Sequence, residues 1–177
     1  MGFSSLVEDE LGSAAVSDSI PGQSNRVTVQ QQLAPTLIAA ALFPLNERTA
    51  LEISAGFAAS SLRGEDDESD WDMGGVSVGT ALLGISHGFT EKIQGHGAIG
   101  LTRLFGDQPL LSEGNSARPV LEAGLSLVTP LHPALRLDAR MQAYRFNSTA
   151  LQNEGSTDGT VLRWVIAGGF TVGGSAP

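Results

Sequence analysis

The stretch from Leu135 to Tyr144, LRLDARMQAY, decides the fold because its polarity alternates at every residue. One side of an extended chain would carry the apolar members, which are Leu135, Leu137, Ala139, Met141 and Ala143. The other side would carry the polar members, which are Arg136, Asp138, Arg140, Gln142 and Tyr144. A period of two residues is that of a β-strand with one buried face. The stretch therefore predicts a strand, and it leaves open which face is inside.

Related but weaker patterns recur along the chain. We predict strands at residues 26–34, 36–44, 49–61, 74–86, 93–105, 119–128, 135–146 and 160–172. Pro35 removes a ladder donor between the first two segments, so these are either two strands or one bent strand. Short connections alternate with long polar ones, which is typical of an up-and-down barrel. We expect an all-β, antiparallel meander barrel of about eight strands over residues 26–177, preceded by an irregular N-terminal arm over residues 1–25.

Composition narrows the classes of function. The 177 residues carry a formal net charge of −9 and include no cysteine. An acidic chain repels phosphate backbones, so nucleic acid is not an expected partner. Without cysteine, the chain has no disulfide, thiolate nucleophile or zinc–cysteine site. No apolar run approaches the ~20 residues of a membrane helix. Residues 1–5 show no basic region before an apolar core, so we expect no signal peptide in this chain.

Two glycine motifs resemble catalytic or cofactor signatures. Residues 84–88, GISHG, have the spacing of a nucleophile elbow around Ser86. Residues 95–100, GHGAIG, have the spacing of a dinucleotide fingerprint. Both signatures require a strand followed by a helix, whereas each motif here adjoins or lies in a predicted strand. We interpret the first as a hairpin turn using Gly88 at positive φ, and the second as a bend or close backbone approach. We therefore expect no enzyme and no cofactor.

Metal sites are not expected either. His87, His96 and His132 are the only histidines, and no pair has metal-ligand spacing. The run from Glu65 to Asp72 carries six carboxylates but lacks the spacing of an EF-hand, so we interpret it as a solvated loop. A calcium site and a surface that docks on a basic partner, with Trp71 as anchor, remain alternatives for this run.

The layout resembles the small outer-membrane β-barrel proteins of Gram-negative-type bacteria. The resemblance covers roughly residues 34–172 and rests on three segments, which are residues 42–49 (LFPLNERT), 127–131 (LVTPL) and 167–170 (AGGF). It implies an eight-stranded up-and-down barrel without catalytic residues. It also implies a place in the bacterial cell envelope, at the outer membrane or at a periplasmic membrane face.

Three hypotheses for the function follow. Aromatic residues are only 6%, and the chain continues past Phe170 where such barrels usually end on an aromatic residue. These features favour a non-catalytic, membrane-extrinsic accessory subunit of a larger membrane-protein complex, for example a respiratory or photosynthetic one. The first alternative is an integral eight-stranded barrel of the anchor or adhesion type, with the lipid bilayer as partner. The second is a carrier of a small apolar ligand.

For the extrinsic subunit, we expect the partner to bind the arm and the acidic run. The residues expected in this contact are Phe3, Leu6, Val7, Leu11, Glu65, Asp66, Asp67, Glu68, Asp70, Trp71 and Asp72. This hypothesis also requires Leu135, Leu137 and Met141 to point into the barrel.

Overall fold

A computed structural model describes residues 2–6, 10–17, 24–65, 70–106, 116–132, 134–146 and 159–170. The regular elements in these ranges are all β-strands. They are β1 (Gly2–Leu6), β2 (Glu10–Ser17), β3 (Ser24–Gln31), β4 (Ala34–Pro44), β5 (Thr49–Glu65), β6 (Asp70–Gly88), β7 (Ile93–Phe105), β8 (Arg118–Val128), β9 (Leu135–Phe146) and β10 (Gly159–Phe170).

Seven antiparallel strands, β4 to β10, form one curled, barrel-like sheet in which each strand pairs with the next along the chain. The longest ladder joins β5 to β6 and runs from Thr49 opposite His87 to Glu65 opposite Asp70. Strand β1 pairs with β10 on one side and with β4 on the other. Strand β3 pairs with the far end of β5, and β2 pairs with β3. The all-β, antiparallel prediction is therefore confirmed.

Three short connections lie at one end of the sheet, and polar side chains hold each of them. The Asn46 Oδ1 atom accepts hydrogen bonds from the backbone N–H groups of Arg48 and Thr49, both at 2.9 Å. The Thr90 hydroxyl accepts the backbone N–H of Ile93 at 3.0 Å. The His132 Nδ1 atom accepts the backbone N–H of Ala134 at 3.1 Å. These side-chain hydrogen bonds stabilise tight turns between consecutive strands. We call this end of the sheet the short-turn end.

Predicted and observed strand bounds agree within four residues for β4 to β10. Strands β3 and β4 both pair with β5, at Leu62–Glu65 and at Ala50–Ala58. The break between them falls at Gln32 and Leu33. Of the two alternatives for residues 26–44, the structure therefore shows two strands, and the break lies just before Ala34 and Pro35.

The N-terminal segment differs from expectation. We expected residues 1–25 to be irregular, but Gly2–Leu6 and Glu10–Ser17 form strands β1 and β2. Both strands are short and rich in small residues, so their alternation was too weak to detect. The expected positive φ at Gly88 is wrong, because Gly88 continues β6 opposite Gln94. Among the described glycines, Gly74 has a positive φ (95°). It pairs with Leu62, next to the register shift between Leu62 and Arg63.

Candidate functional site

The outward face of the sheet is apolar. Strand β7 shows the pattern most clearly, because Ile99 and Leu101 are 63% and 52% exposed while the alternate residues His96, Thr102 and Leu104 are buried. Each strand from β4 to β10 exposes at least one large apolar side chain. The members of this apolar belt include Leu37, Ile53, Phe57, Leu83, Ile85, Ile99, Leu101, Leu121, Leu125, Leu137, Met141, Leu162 and Ile166. Such a face needs a cover other than water.

The expected orientation of β9 in an extrinsic barrel is wrong. Leu137 and Met141 are 49% and 42% exposed, whereas Arg140 is only 9% exposed. Arg136 and Asp138 are half-buried on the inner face. The inward side chains of β9 are therefore its charged ones, because they find partners on the other inner walls of the curled sheet.

A charged cluster fills the middle of the interior, and four strands contribute to it. Its members are Glu52 from β5, His96 from β7, Glu122 from β8 and Arg140 from β9. The Arg140 Nη1 atom lies 3.1 Å from a carboxylate oxygen of each glutamate. The His96 Nε2 atom lies 2.7 Å from Glu122 Oε1. On the other side of the ring, Nδ1 lies 3.0 Å from Glu52 Oε2, although out of line for a hydrogen bond.

Polar side chains extend this cluster along the inner wall. The Gln142 amide donates to Glu122 Oε2 at 2.6 Å, and Arg163 of β10 donates to Gln142 Oε1 at 3.3 Å. Arg163 is 2% exposed, so its charge is held inside the protein. The glutamates thus receive donors from both sides, which is the condition under which buried charges are tolerated.

The half of the interior away from the short turns is apolar. Leu62, Val78, Leu104 and Val120 are each at most 1% exposed. They pack in one cluster with Ala34, Ala58, Val76, Leu82, Ala98, Tyr144 and Val161. We call this cluster the apolar plug. It fills the interior where β5, β6, β9 and β10 approach the long connections.

A cavity of about 480 Å³ opens on the other side of the charged cluster, toward the short-turn end. Its polar wall consists of Glu52, Ser86, Gln94, Ser126, Arg136, Asp138 and Arg140. Its apolar wall consists of Ile38, Ala40, Ala41, Leu42, Ala167, Gly168, Gly169 and Phe170. We call this cavity the vestibule.

Ser86 lies beside a histidine and two acids, an arrangement that the sequence did not reveal. The register places Ser86 of β6 directly opposite His96 of β7. Both ring nitrogens of His96 already face carboxylates, those of Glu52 and Glu122. In the part of the chain that the structure describes, no hydrogen bond joins Ser86 to His96. The His96 ring nitrogens thus lie against the two glutamates rather than against the Ser86 hydroxyl.

The expected partner-binding residues are placed only in part. Phe3 and Leu6 lie in β1 and Leu11 lies in β2, while Val7 and residues 66–68 lie outside the described ranges. Glu65 ends β5, and Asp70, Trp71 and Asp72 begin β6. Asp70 forms an ion pair with Arg63, and Asp72 Oδ1 accepts the N–H of Gly74 at 2.7 Å. The acidic run is thus partly strand, at the ends of β5 and β6 that lie farthest from the short turns.

The histidines differ in their surroundings. His96 is buried in the charged cluster, as described above. His87 lies near the end of β6, where its Nδ1 atom is 3.0 Å from the hydroxyl of Thr49 at the start of β5. His132 lies in the turn before β9. Among the described residues, no group of three or more histidine, aspartate or glutamate side chains is arranged to hold a metal ion.

Comparison with known proteins gives no assignment: no family model, curated protein or solved structure matches the chain. Within the described residues, no helix is long and apolar enough to cross a membrane.

Proposed function

We propose that this chain is an integral membrane β-barrel of the bacterial cell envelope, with an anchor or adhesion role and no catalytic activity. One observation carries the proposal, which is the apolar belt over strands β4 to β10 around a charged interior. Membrane barrels alternate apolar residues toward lipid with polar residues toward the lumen. A water-soluble barrel alternates in the opposite sense.

Closure of the barrel belongs to the same proposal. Strand β1 is the eighth strand, since it pairs with β10 over Gly2–Leu6 and with β4 over Gly2–Ser4. These pairings satisfy the edge of β4 at residues 34–36 and that of β10 at residues 163–167, and in lipid an unsatisfied backbone group costs several kcal/mol. With eight strands the interior is just wide enough for side chains to fill.

An anchor fits the interior better than a channel does. The apolar plug closes one half of the lumen, and the charged cluster bridges the middle from β5 to β9. Glu52 and Arg140 lie on strands four steps apart in the ladder order, which puts them on opposite walls of the proposed eight-stranded barrel. Their contact bridges the lumen, which favours an anchor over a channel.

The extrinsic accessory subunit is the weaker candidate. A partner protein covers one side of a module, whereas exposed apolar side chains occur here on each of seven consecutive strands. Lipid covers all sides at once, which is why we favour the bilayer as the partner. The outer membrane is the location that the resemblance in sequence layout implies.

The test combines membrane extraction with one substitution in the belt. We expect the native protein to resist carbonate and high salt and to be released by detergent. Ile99→Arg places a charge among Leu83 and Leu121 of the neighbouring strands. We expect it to weaken insertion into phosphatidylcholine vesicles by about 2–4 kcal/mol if Ile99 lies at the bilayer midplane.

Leu45→Arg is the matched control, because Leu45 is 61% exposed and lies in the turn between β4 and β5. It should insert like the parent. Release of the parent by carbonate, together with normal folding of Ile99→Arg in water, would reject the integral barrel and favour the extrinsic subunit.

A further inference from the structure

The vestibule has two walls of opposite character. The polar wall is built by β5 to β9 and carries two arginines, Arg136 and Arg140. The apolar wall is built by β4 and β10, and on β4 the residues Ile38, Ala40 and Leu42 share the inward-facing alternation of buried Ala34. A pocket of this size, with one apolar wall and several polar groups converging from the other, is of the kind that binds small molecules.

Arg136 is the unusual member of the polar wall. Its Nη1 atom donates to Gln94 Oε1 at 2.5 Å, and its Nε atom is buried without a hydrogen-bond partner. In the described part of the chain, no carboxylate forms an ion pair with it. Arg140 differs, because it contacts two glutamates. A half-buried guanidinium held by a neutral amide retains an uncompensated positive charge and unused donors.

The nearest acid on the same wall is directed elsewhere. Asp138 accepts a short hydrogen bond from Ser126 of β8 and lies 3.9 Å from Arg140 Nη2. Its carboxylate therefore interacts with Ser126 and Arg140. Among the charged groups that line the vestibule, Arg136 is therefore the cation without a carboxylate partner in the described residues.

The apolar wall lies where β4 and β10 do not pair with each other. In the described ranges, β1 pairs with β4 at residues 34–36 and with β10 at residues 163–167. Toward the short-turn end, Ile38, Ala40 and Leu42 of β4 and residues 168–170 of β10 line the cavity. The glycines add no side chain there, so a hydrocarbon chain has room to lie along this wall.

We propose that the vestibule binds a single-chain anionic amphiphile, with its anionic headgroup on Arg136 and its chain along Ile38, Ala40 and Leu42. Guanidinium donors match the geometry of carboxylate and phosphate groups, and such charge-assisted hydrogen bonds are strong. Burial of the chain supplies about 0.8 kcal/mol for each CH₂ group removed from water. This inference goes beyond the anchor role and needs only the vestibule, not insertion in a bilayer.

The probe is a dodecanoic acid carrying a diazirine midway along its chain, added to the full-length protein in nonionic detergent micelles. After irradiation, mass spectrometry locates the labelled residues. We expect labelling of residues 38–42 and 167–170 that excess dodecanoate or dodecyl phosphate suppresses and dodecanol does not. Labelling spread over the apolar belt, or equal suppression by dodecanol, would overturn the proposal.

Two substitutions with matched controls assign the parts of the site. Arg136→Gln should lower the competable labelling about tenfold or more, since it removes a charge-assisted hydrogen bond. Arg145→Gln changes an exposed arginine of the same strand and should have no effect. Ala40→Trp should block the vestibule, and Ala39→Trp, on the opposite face of β4, should not.

Ala40→Trp keeps the test decisive if Arg136→Gln does not fold. Intact labelling in a folded Ala40→Trp protein would refute the site. The proposed membrane insertion would be unaffected by that result, because vesicle insertion is measured separately.

Discussion

The two halves of the interior are filled in different ways. Near the long connections the apolar plug fills the space, and Leu104 and Thr102 there are 0% exposed. From the middle toward the short turns, ions such as Glu52 and Arg140 contact one another across the lumen and leave the vestibule beside them. The apolar half gains stability by excluding water, whereas the charged half is stable only while each buried charge keeps its partner.

The difference in packing predicts which end of the interior can bind a ligand. A well-packed apolar half is closed and rigid, because protein interiors have few voids larger than a water molecule. The charged half leaves the vestibule open, because the long side chains of Arg136 and Arg140 reach partners without filling the volume between them. Binding is therefore expected at the short-turn end.

The largest expected effect on stability comes from removing one member of the charged cluster. Arg140→Met leaves Glu52 and Glu122 with His96 as their remaining cationic partner, and removal of one member of a buried pair costs about 3–5 kcal/mol. The free energy of unfolding, measured by urea titration in micelles, should fall by that amount. Glu52→Gln combined with Arg140→Met should restore part of the loss. Arg145→Met is the control on an exposed position, and equal stability of Arg140→Met and the control would contradict the comparison.

A smaller effect is expected in the apolar plug. Leu104→Ala removes a fully buried side chain and should lower the free energy of unfolding by about 3 kcal/mol, by loss of burial and by leaving a cavity. Leu101→Ala on the same strand is the control, because Leu101 is 52% exposed. In micelles the control should lose far less. If the two variants are equally destabilised, Leu104 does not contribute to a packed plug.

The smallest effect concerns Gly100, which lies between the two halves on the inner face of β7. A Cβ atom there would overlap the carbonyl oxygen of Ala81 on β6, whereas a Cβ at Gly97 would meet no atom within 4 Å. Gly100→Ala should therefore destabilise the protein by about 1–3 kcal/mol through overpacking. Gly97→Ala should be close to neutral in the same urea titration. Equal stability of both variants would show that β6 and β7 can separate at this point.

This pair of glycines also illustrates how far sequence reasoning reached. The motif GHGAIG was interpreted as a bend or close backbone approach within a strand, and Gly100 does approach the backbone of β6. The strand that contains the motif was predicted with the observed bounds, 93–105. His96 lies in the middle of the same motif, and its two carboxylate partners were not predicted.

The charged cluster could not be assembled from sequence for a physical reason. Its contacts join residues far apart in the chain, such as Glu52 and Arg140, which are separated by 88 positions. Local periodicity shows only that each residue alternates with apolar neighbours. The signal that could have indicated the cluster is the recurrence of charged or amide residues on one face of several strands, as at Glu52, Glu122 and Gln142.

By itself, the sequence determined that the chain forms antiparallel strands and where most of them begin and end. The alternation of period two and the capped turns at Asn46 and Thr90 are local properties, and they do not depend on the rest of the fold. Only the tertiary structure decided which face is inside. The strand Leu135–Phe146 alternates equally well in either sense, and its arginines became interior residues because the curled sheet brings Glu52, Gln94 and Glu122 within reach of them.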